Sequence, residues 1–397
     1  MMALKSTHII FVHDFFGWGP QEFALPYWGD ALDQIGEPFA IHEAKVGPVS
    51  SFHDRACELF AQIGGGRVDY GARHSGEARH ARYSREYAHP FAPDWSEENP
   101  VILVGHGAGA QTALQLQALP ANDFWERGTS ADWIEGVVSV AGAINGSLLP
   151  YGFGCDREDG RLKRRPSRLI AESFNFLGMA AGVPSAMRKP FDLHLDQWTD
   201  GETDSPEAMA RLDAGAFVAG EDNLAFDMTL QGCRNANARF RSHPGTYYLS
   251  LVTNATHARL SGFFGKIWRP DPTIHPILWQ PALYQAQEAN FAKAPIAGWG
   301  GGDLSLPRWR PNDGAVSVIS QRYPFTARDE PVGGEGVFKR QRLKPGRWYY
   351  EYLDKAIGQR FDHFDVVIGA QLKPWVPGLR DAHREIYLRL GETLRSL

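Results

Sequence analysis

The chain has 397 residues, 43% hydrophobic and 22% charged, the balance of a globular protein large enough for one big domain or two ordinary ones. A formal net charge of −5 gives no electrostatic reason to expect nucleic acid as a partner, and no apolar run reaches the roughly 18 residues that cross a bilayer, so no transmembrane segment is expected. Cys57, Cys155 and Cys233 make no disulfide framework, which with the lack of an apolar leader predicts a cytoplasmic protein, or a secreted one whose signal peptide has been removed.

In chain order, His8–Val12 reads as a short buried strand running into a glycine- and aromatic-rich turn, His13 to Pro20. A helical stretch from Tyr27 to Ile35 and a strand around Phe39 to Ala44 follow. Phe52, Ala56, Leu59, Phe60 and Ile63 share one face of a helix. Gly64 to Pro100 reads as a long polar loop, too long to be a mere connection. Val101-Ile-Leu-Val104 is a buried strand entering Gly105-His-Gly-Ala-Gly109, a tight corner that an amphipathic segment leaves; Trp133 to Ala141 is the next strand. Strands alternating with helices predict a doubly wound, mainly parallel α/β sheet.

After Gly146 the pattern changes. Residues 151–245 show little strand character, and an apolar segment containing Leu169, Ile170, Phe174 and Met179 reads as a lid over a pocket or as an ordinary buried helix. Strand character resumes at Tyr247–Val252, Asn312-Asp-Gly314 and Asp362-His-Phe364 mark two loops, and Arg380–Leu397 is an amphipathic closing helix. Gly298–Gly302 reads as a loop, since no strand–helix pair flanks it to make a phosphate cradle. The expected organisation is one domain over 1–397 with the 151–245 insertion inside it.

The corner has the frame of the G-x-S-x-G nucleophile elbow of α/β-hydrolases, with Gly107 in the serine position. In that fold the partners follow in the order nucleophile, acid, histidine, which selects Asp313 and His363. The chain also resembles the thermostable, zinc-containing lipases of bacilli. The resemblance rests on Phe16-Gly-Trp-Gly, Tyr27-Trp-Gly, Val46-Gly-Pro-Val-Ser-Ser, Asp54-Arg-Ala-Cys-Glu, Val68-Asp-Tyr-Gly-Ala, His80-Ala-Arg, Asp192-Leu-His-Leu-Asp-Gln-Trp, Thr246-Tyr-Tyr-Leu-Ser, Asn312-Asp-Gly and Asp362-His. It implies an α/β-hydrolase fold with a lid helix after Ser167, Asp313 and His363 as triad partners, and an oxyanion hole made by the N–H groups of Phe15 and Ala108. It further implies a structural zinc held by Asp54, His74, His80 and Asp227, although the two histidines taken alone read as solvated. Calcium is not expected: Asp365 could serve the family's site, but its second position falls near Ala370-Gln371.

Two departures shape the functional reading. Gly107 cannot form an acyl-enzyme, and the family's His-Gly-Phe oxyanion loop is His13-Asp14-Phe15, which sets an acidic modifier beside the hole. The reading taken first is a His363–Asp313 general base acting on a small hydrophobic carbonyl substrate in space vacated by the serine. Condensation, cyclisation or elimination, as in polyketide-type secondary metabolism, would suit it. The alternatives are a triacylglycerol lipase or carboxylesterase inactivated by an engineered Ser→Gly change at 107, and a non-catalytic binder of an apolar ligand.

Overall fold

The computed structural model describes residues 7–180, 192–199, 201, 205–261, 265–287, 306–326, 330–339 and 343–397. Its strands are β1 (His8–Val12), β2 (Ala40–Glu43), β3 (Gly66–Asp69), β4 (Tyr83–Tyr87), β5 (Val101–His106), β6 (Ile134–Val140), β7 (Tyr247–Val252), β8 (Thr256–Ser261), β9 (Gly265–Pro270), β10 (Val332–Glu335) and β11 (Trp348–Tyr352). Seven of them form one sheet in the order β10-β11-β7-β6-β5-β1-β2, with every neighbouring pair parallel.

The central strands are apolar at successive positions because both faces are covered. Ile9 and Phe11 of β1, with Ile102 and Val104 of β5, enter one core. Their neighbours Ile10, Val12, Val101 and Leu103 enter the other. Each such side chain, removed from water, contributes on the order of 1.5–3 kcal/mol. The first core is closed by the C-terminal helix Leu379–Leu394, which buries Ile386, Tyr387 and Leu390; the second is closed by the helices Phe52–Gly64 and Ala108–Ala121.

Three expectations need correction. The helix before β2 covers only Ala31–Ile35, because residues 27–30 form turns and Gly29 has φ +56°. The Gly64–Pro100 stretch is not a plain loop: β3 and β4 pair antiparallel around the helix Ala72–Ala78. Val68 and Tyr70, both fully buried, pin that segment to the core, and the Tyr70 hydroxyl meets Ser84 Oγ at 2.9 Å. The helix Pro166–Ala180 is not an ordinary buried helix. Leu169 and Ile170 are buried, whereas Arg168 and Glu172 form an ion pair on an exposed face and Met179 is exposed. Helical insertions between β6 and β7 thus lie where a lid is expected. The Gly298–Gly302 stretch lies outside the described residues.

Candidate active site

The sheet register builds the site. Val12 of β1 is paired with Gly105 of β5, so two residues further along each strand Asp14 and Gly107 come side by side. Gly107 makes the corner with φ +54° and ψ −116°, a left-handed conformation that favours glycine. The turn is tight enough that a Cβ on Gly109 would meet the Val12 carbonyl oxygen at 2.2 Å. A Cβ on Gly107 would lie 2.1 Å from Asp14 Cγ and 2.3 Å from each carboxylate oxygen. The Asp14 carboxylate therefore fills the volume that a side chain at the elbow would enter.

The two carboxylate oxygens are divided between two donors. Oδ1 accepts the Ala108 N–H at 2.5 Å, and Oδ2 lies 3.0 Å from His363 Nε2. On the other edge of the ring, His363 Nδ1 lies 2.9 Å from Asp313 Oδ2. With a carboxylate at each nitrogen, both ring nitrogens act as donors, and the ring is the imidazolium. Burial of His363 disfavours that cation, but the charge of Asp313 and the hydrogen bonds to Asp14 and Asp313 outweigh it and raise the pKa to about 10. Burial likewise pushes the Asp14 carboxyl up, and the hydrogen bond and charge of His363 outweigh it and bring it well below the usual carboxylate range.

The loops hold this arrangement firmly. Asp313 sits in an Asx turn, where Asn312 Oδ1 accepts the Gly314 N–H at 2.9 Å. Its Oδ1 accepts the N–H groups of Ala315 and Val316, while its Oδ2 accepts the Thr253 hydroxyl at 2.6 Å and the Gln321 amide at 3.2 Å. Behind Asp14, a buried chain runs through Tyr27 and His106. The Asp14 N–H donates to the Tyr27 hydroxyl at 3.0 Å, that hydroxyl donates to His106 Nδ1 at 2.7 Å, and His106 Nε2–H donates to the His363 carbonyl at 3.0 Å. Burial, aided by the neighbouring His363 charge, lowers the His106 pKa to about 3 and keeps its ring neutral, as this pattern requires.

Asp14 and His363 border a cavity of about 320 Å³ walled mainly by apolar residues, among them Phe15, Phe153, Leu162, Leu169 and Met228. Leu169 and Ser173 bring the helix Pro166–Ala180 to this wall, and Phe174 of the same helix packs edge-on against Phe16 with ring centres 5.5 Å apart. Of the expected site residues, His363 and Phe15 line this cleft, while Asp313 is buried behind His363 and Gly107 lies behind Asp14. The expected open space beside His363 is not there, because Asp14 fills it. Nor is the Ala108 N–H an open oxyanion donor, since Asp14 Oδ1 already occupies it. Nothing in the sequence assigns a role to Tyr27, His106, Thr253 or Gln321; Tyr27 and His106 lie in visible motifs, but their contact joins segments 79 residues apart.

A second cluster lies away from this cleft. Asp54, His74, His80 and Asp222 present one ligand atom each, all within 4.8 Å of one another. His74 Nε2 is 3.1 Å from Asp54 Oδ1 and 3.4 Å from Asp222 Oδ1, and His80 Nε2 is 3.2 Å from Asp222 Oδ2. Two histidines and two carboxylates suit a tetrahedral metal site. His80 Nδ1 donates to the Ala81 carbonyl at 2.8 Å, which leaves Nε2 bare for a metal. His80 Nε2 and Asp222 Oδ2 are also buried without a hydrogen-bond partner. The residues present fit such an ion. The fourth ligand is Asp222, however, and not the expected Asp227, whose Oδ2 instead accepts the Phe52 N–H at 2.6 Å. Asp365, the residue considered for calcium, is taken up otherwise. The buried Lys373 ammonium lies 2.7 Å from its Oδ1, 2.8 Å from Asp362 Oδ2 and 2.8 Å from the Thr273 carbonyl.

Residues 5–128 match the family model described as "Lipase-like, C-terminal domain". The chain is 26% identical over 409 residues to Lipase 2 of Staphylococcus aureus, covering 96% of this chain and 54% of that protein. It thus spans about half the length of the curated relatives it matches. Among solved structures it resembles EstA from Clostridium botulinum, with TM-score 0.73, 25% identity, and coverage of 99% of this chain and 88% of that one. It shares its fold with the Staphylococcus hyicus lipase, with TM-score 0.70, 22% identity and full coverage of both chains. The narrower likeness to the bacillar zinc lipases rests on the quoted motifs alone. With the elbow corner, the parallel sheet and the buried His363–Asp313 pair, these matches identify the chain as an α/β-hydrolase-fold protein related to lipases and esterases.

Proposed function

We propose that the chain is a hydrolase-type enzyme of the lipase and carboxylesterase line, which takes a small apolar substrate into the 320 Å³ cleft and works on it with Asp14, His363 and Asp313 in place of a serine. The observation that carries this reading is one carboxylate, Asp14, joining the Ala108 N–H to His363 Nε2. A serine hydrolase needs an oxygen nucleophile at that point and an open donor beside it, and Gly107 supplies no nucleophile. An engineered Ser→Gly change in an ordinary lipase leaves Asp14 unexplained, since a serine Cβ cannot share its space. Condensation, cyclisation or elimination needs a neutral His363 facing the substrate, so that reading requires the substrate first to displace Asp14. A pure binder needs the cleft but neither buried carboxylate–histidine contact.

Within the same proposal, residues 151–245 are the lid of a single domain, and Asp54, His74, His80 and Asp222 hold a structural zinc that would pin the 64–90 segment against the insertion. The test of function has two arms. A neutral apolar fluorophore, N-phenyl-1-naphthylamine, should bind the protein and be displaced by hydrophobic substrates, with binding kept and turnover lost in His363→Ala. A fluorophosphonate should leave the protein unlabelled at the elbow. Labelling there, or undiminished turnover in His363→Ala, contradicts the proposal.

A further inference from the structure

A cavity of about 600 Å³ lies apart from the cleft and shares none of its wall residues. Lys266, Arg308, Arg310 and Arg322 border it, and among the described residues no carboxylate does. Its aromatic walls come from Trp268 and Tyr352. Lys266 and Trp268 are two positions apart on β9, so the pleat turns both to the same face. Tyr350 and Tyr352 share a face of β11 in the same way, with ring centres 5.5 Å apart. The Arg322 guanidinium carbon stands 5.7 Å from the Tyr350 ring centre and 5.2 Å from that of Tyr323. Stacking of this kind fixes the guanidinium plane and leaves its N–H edge to find an acceptor. Among the described residues, the buried Nε of Arg322 has no such partner. The backbone on either side is firmly held. The Gln321 side-chain carbonyl accepts the Thr253 N–H at 2.8 Å, and the Pro311 carbonyl accepts the Val318 N–H at 2.8 Å. A buried donor on a charged group is costly to leave without an acceptor, and an anion in the cavity would satisfy it.

We infer that this cavity binds a phosphorylated small molecule with a planar ring, its phosphate on Arg322 and Lys266 and its ring on Trp268 and Tyr352. Phosphate is the anion these walls select. A guanidinium fork matches two of its oxygens at once, and an ammonium adds a point charge. A wall of cations also answers a group carrying close to two negative charges better than it answers a single carboxylate. The ring follows from the space and the aromatic walls. A phosphate group alone fills a small part of 600 Å³, and Trp268 and Tyr352 offer flat apolar surface on which a ring can stack. Nucleotides have this chemistry. A phospholipid headgroup presents the same phosphate but has no ring to use the aromatic walls. Binding here requires nothing of Asp14 or His363, so it is independent of the proposed hydrolase chemistry.

Equilibrium dialysis of the intact chain against radiolabelled ADP tests this, with pyrophosphate and adenosine as competitors. ADP should bind, pyrophosphate should compete about tenfold less well, and adenosine should compete more weakly still. Arg322→Gln should weaken ADP binding at least about tenfold, and Lys266→Gln about threefold. Trp268→Ala should bring ADP down to the level of pyrophosphate. Lys266 is exposed, so Lys266→Gln keeps the test open should Arg322→Gln lower the unfolding temperature. ADP binding that is absent, or that is unchanged in both Arg322→Gln and Lys266→Gln, overturns the inference. Pyrophosphate binding as tight as ADP, with no effect of Trp268→Ala, also overturns it, because the ring then contributes nothing. Flotation with phosphatidylcholine vesicles, with and without phosphatidic acid, separates the lipid source. Capture that needs phosphatidic acid and is lost in Arg322→Gln, without ADP binding, overturns the small-molecule assignment in favour of a lipid headgroup.

Discussion

Asp14 Cγ lies 2.1 Å from where a Cβ on Gly107 would stand, so the two positions cannot both carry these side chains into the elbow. A carboxylate from the end of β1 has taken the place of a side chain at the end of β5. Serine cannot therefore be restored at 107 alone. Gly107→Ser should give no gain in hydrolysis of p-nitrophenyl butyrate, because its side chain meets the Asp14 carboxylate. Asp14→Gly with Gly107→Ser should give at least about a 100-fold gain, since the paired change also frees the Ala108 N–H, and one oxyanion donor is worth about 10²–10³ in rate. Equal gains from the single and the paired change would mean that Asp14 swings clear easily.

The Asp14–His363 pair also predicts how stability depends on pH. His363 has its pKa raised from 6.5 to about 10, so its contribution is complete below pH 6.5 and is lost as pH rises towards 10. Asp14 has its pKa depressed from 3.8, so its contribution is present above that pH and is lost in stronger acid. The stability difference between the parent and Asp14→Asn, measured by urea unfolding, should be largest between pH 4 and 6.5 and shrink steadily above it. A difference that grows from pH 6.5 to 9 would assign the wrong charge to the ring.

Lys373 is fully buried with its ammonium against Asp362 and Asp365, where it acts as an internal counter-ion. Lys373→Met should destabilise by about 3–5 kcal/mol, because it leaves two buried carboxyl groups without their cation. Denaturant midpoints measure this. Added calcium should leave the parent's midpoint unchanged; a large shift with calcium would mean that the carboxylates prefer a metal to the lysine.

The metal cluster separates Asp222 from Asp227. Elemental analysis of the purified parent should find about one zinc per chain. Asp222→Ala or His74→Ala should lose it and make the 64–90 segment more sensitive to proteolysis, whereas Asp227→Asn should keep the metal. Loss of metal in Asp227→Asn with retention in Asp222→Ala would restore the ligand set inferred from resemblance.

The parts of this site legible in the sequence are those set by local pattern. The buried runs of β1 and β5, the corner at Gly105–Gly109 and the turn at Asn312–Gly314 each encode their own geometry, and chain order then selects Asp313 and His363. The Asp14 contact was not legible because it depends on a register between strands, Val12 beside Gly105, that neither strand specifies alone. Reading Asp14 as a mere neighbour of the oxyanion hole missed that its carboxylate enters it. The metal ligand went astray by five residues for a related reason. Asn223 caps the four-residue helix Leu224–Asp227 by accepting the Phe226 N–H, and the turn sends Asp222 to the histidines and Asp227 to the Phe52 N–H. Spacing in the sequence does not give that direction.

The central claim is that a carboxylate at position 14 holds His363 as a cation at the place of the missing serine. The ¹⁵N and ¹H shifts of the His363 ring at pH 8 test it most directly. The account predicts both Nδ1 and Nε2 protonated, and a neutral ring with one bare nitrogen in Asp14→Asn. A parent protein whose His363 is neutral at pH 8, with Nε2 unprotonated, would contradict it.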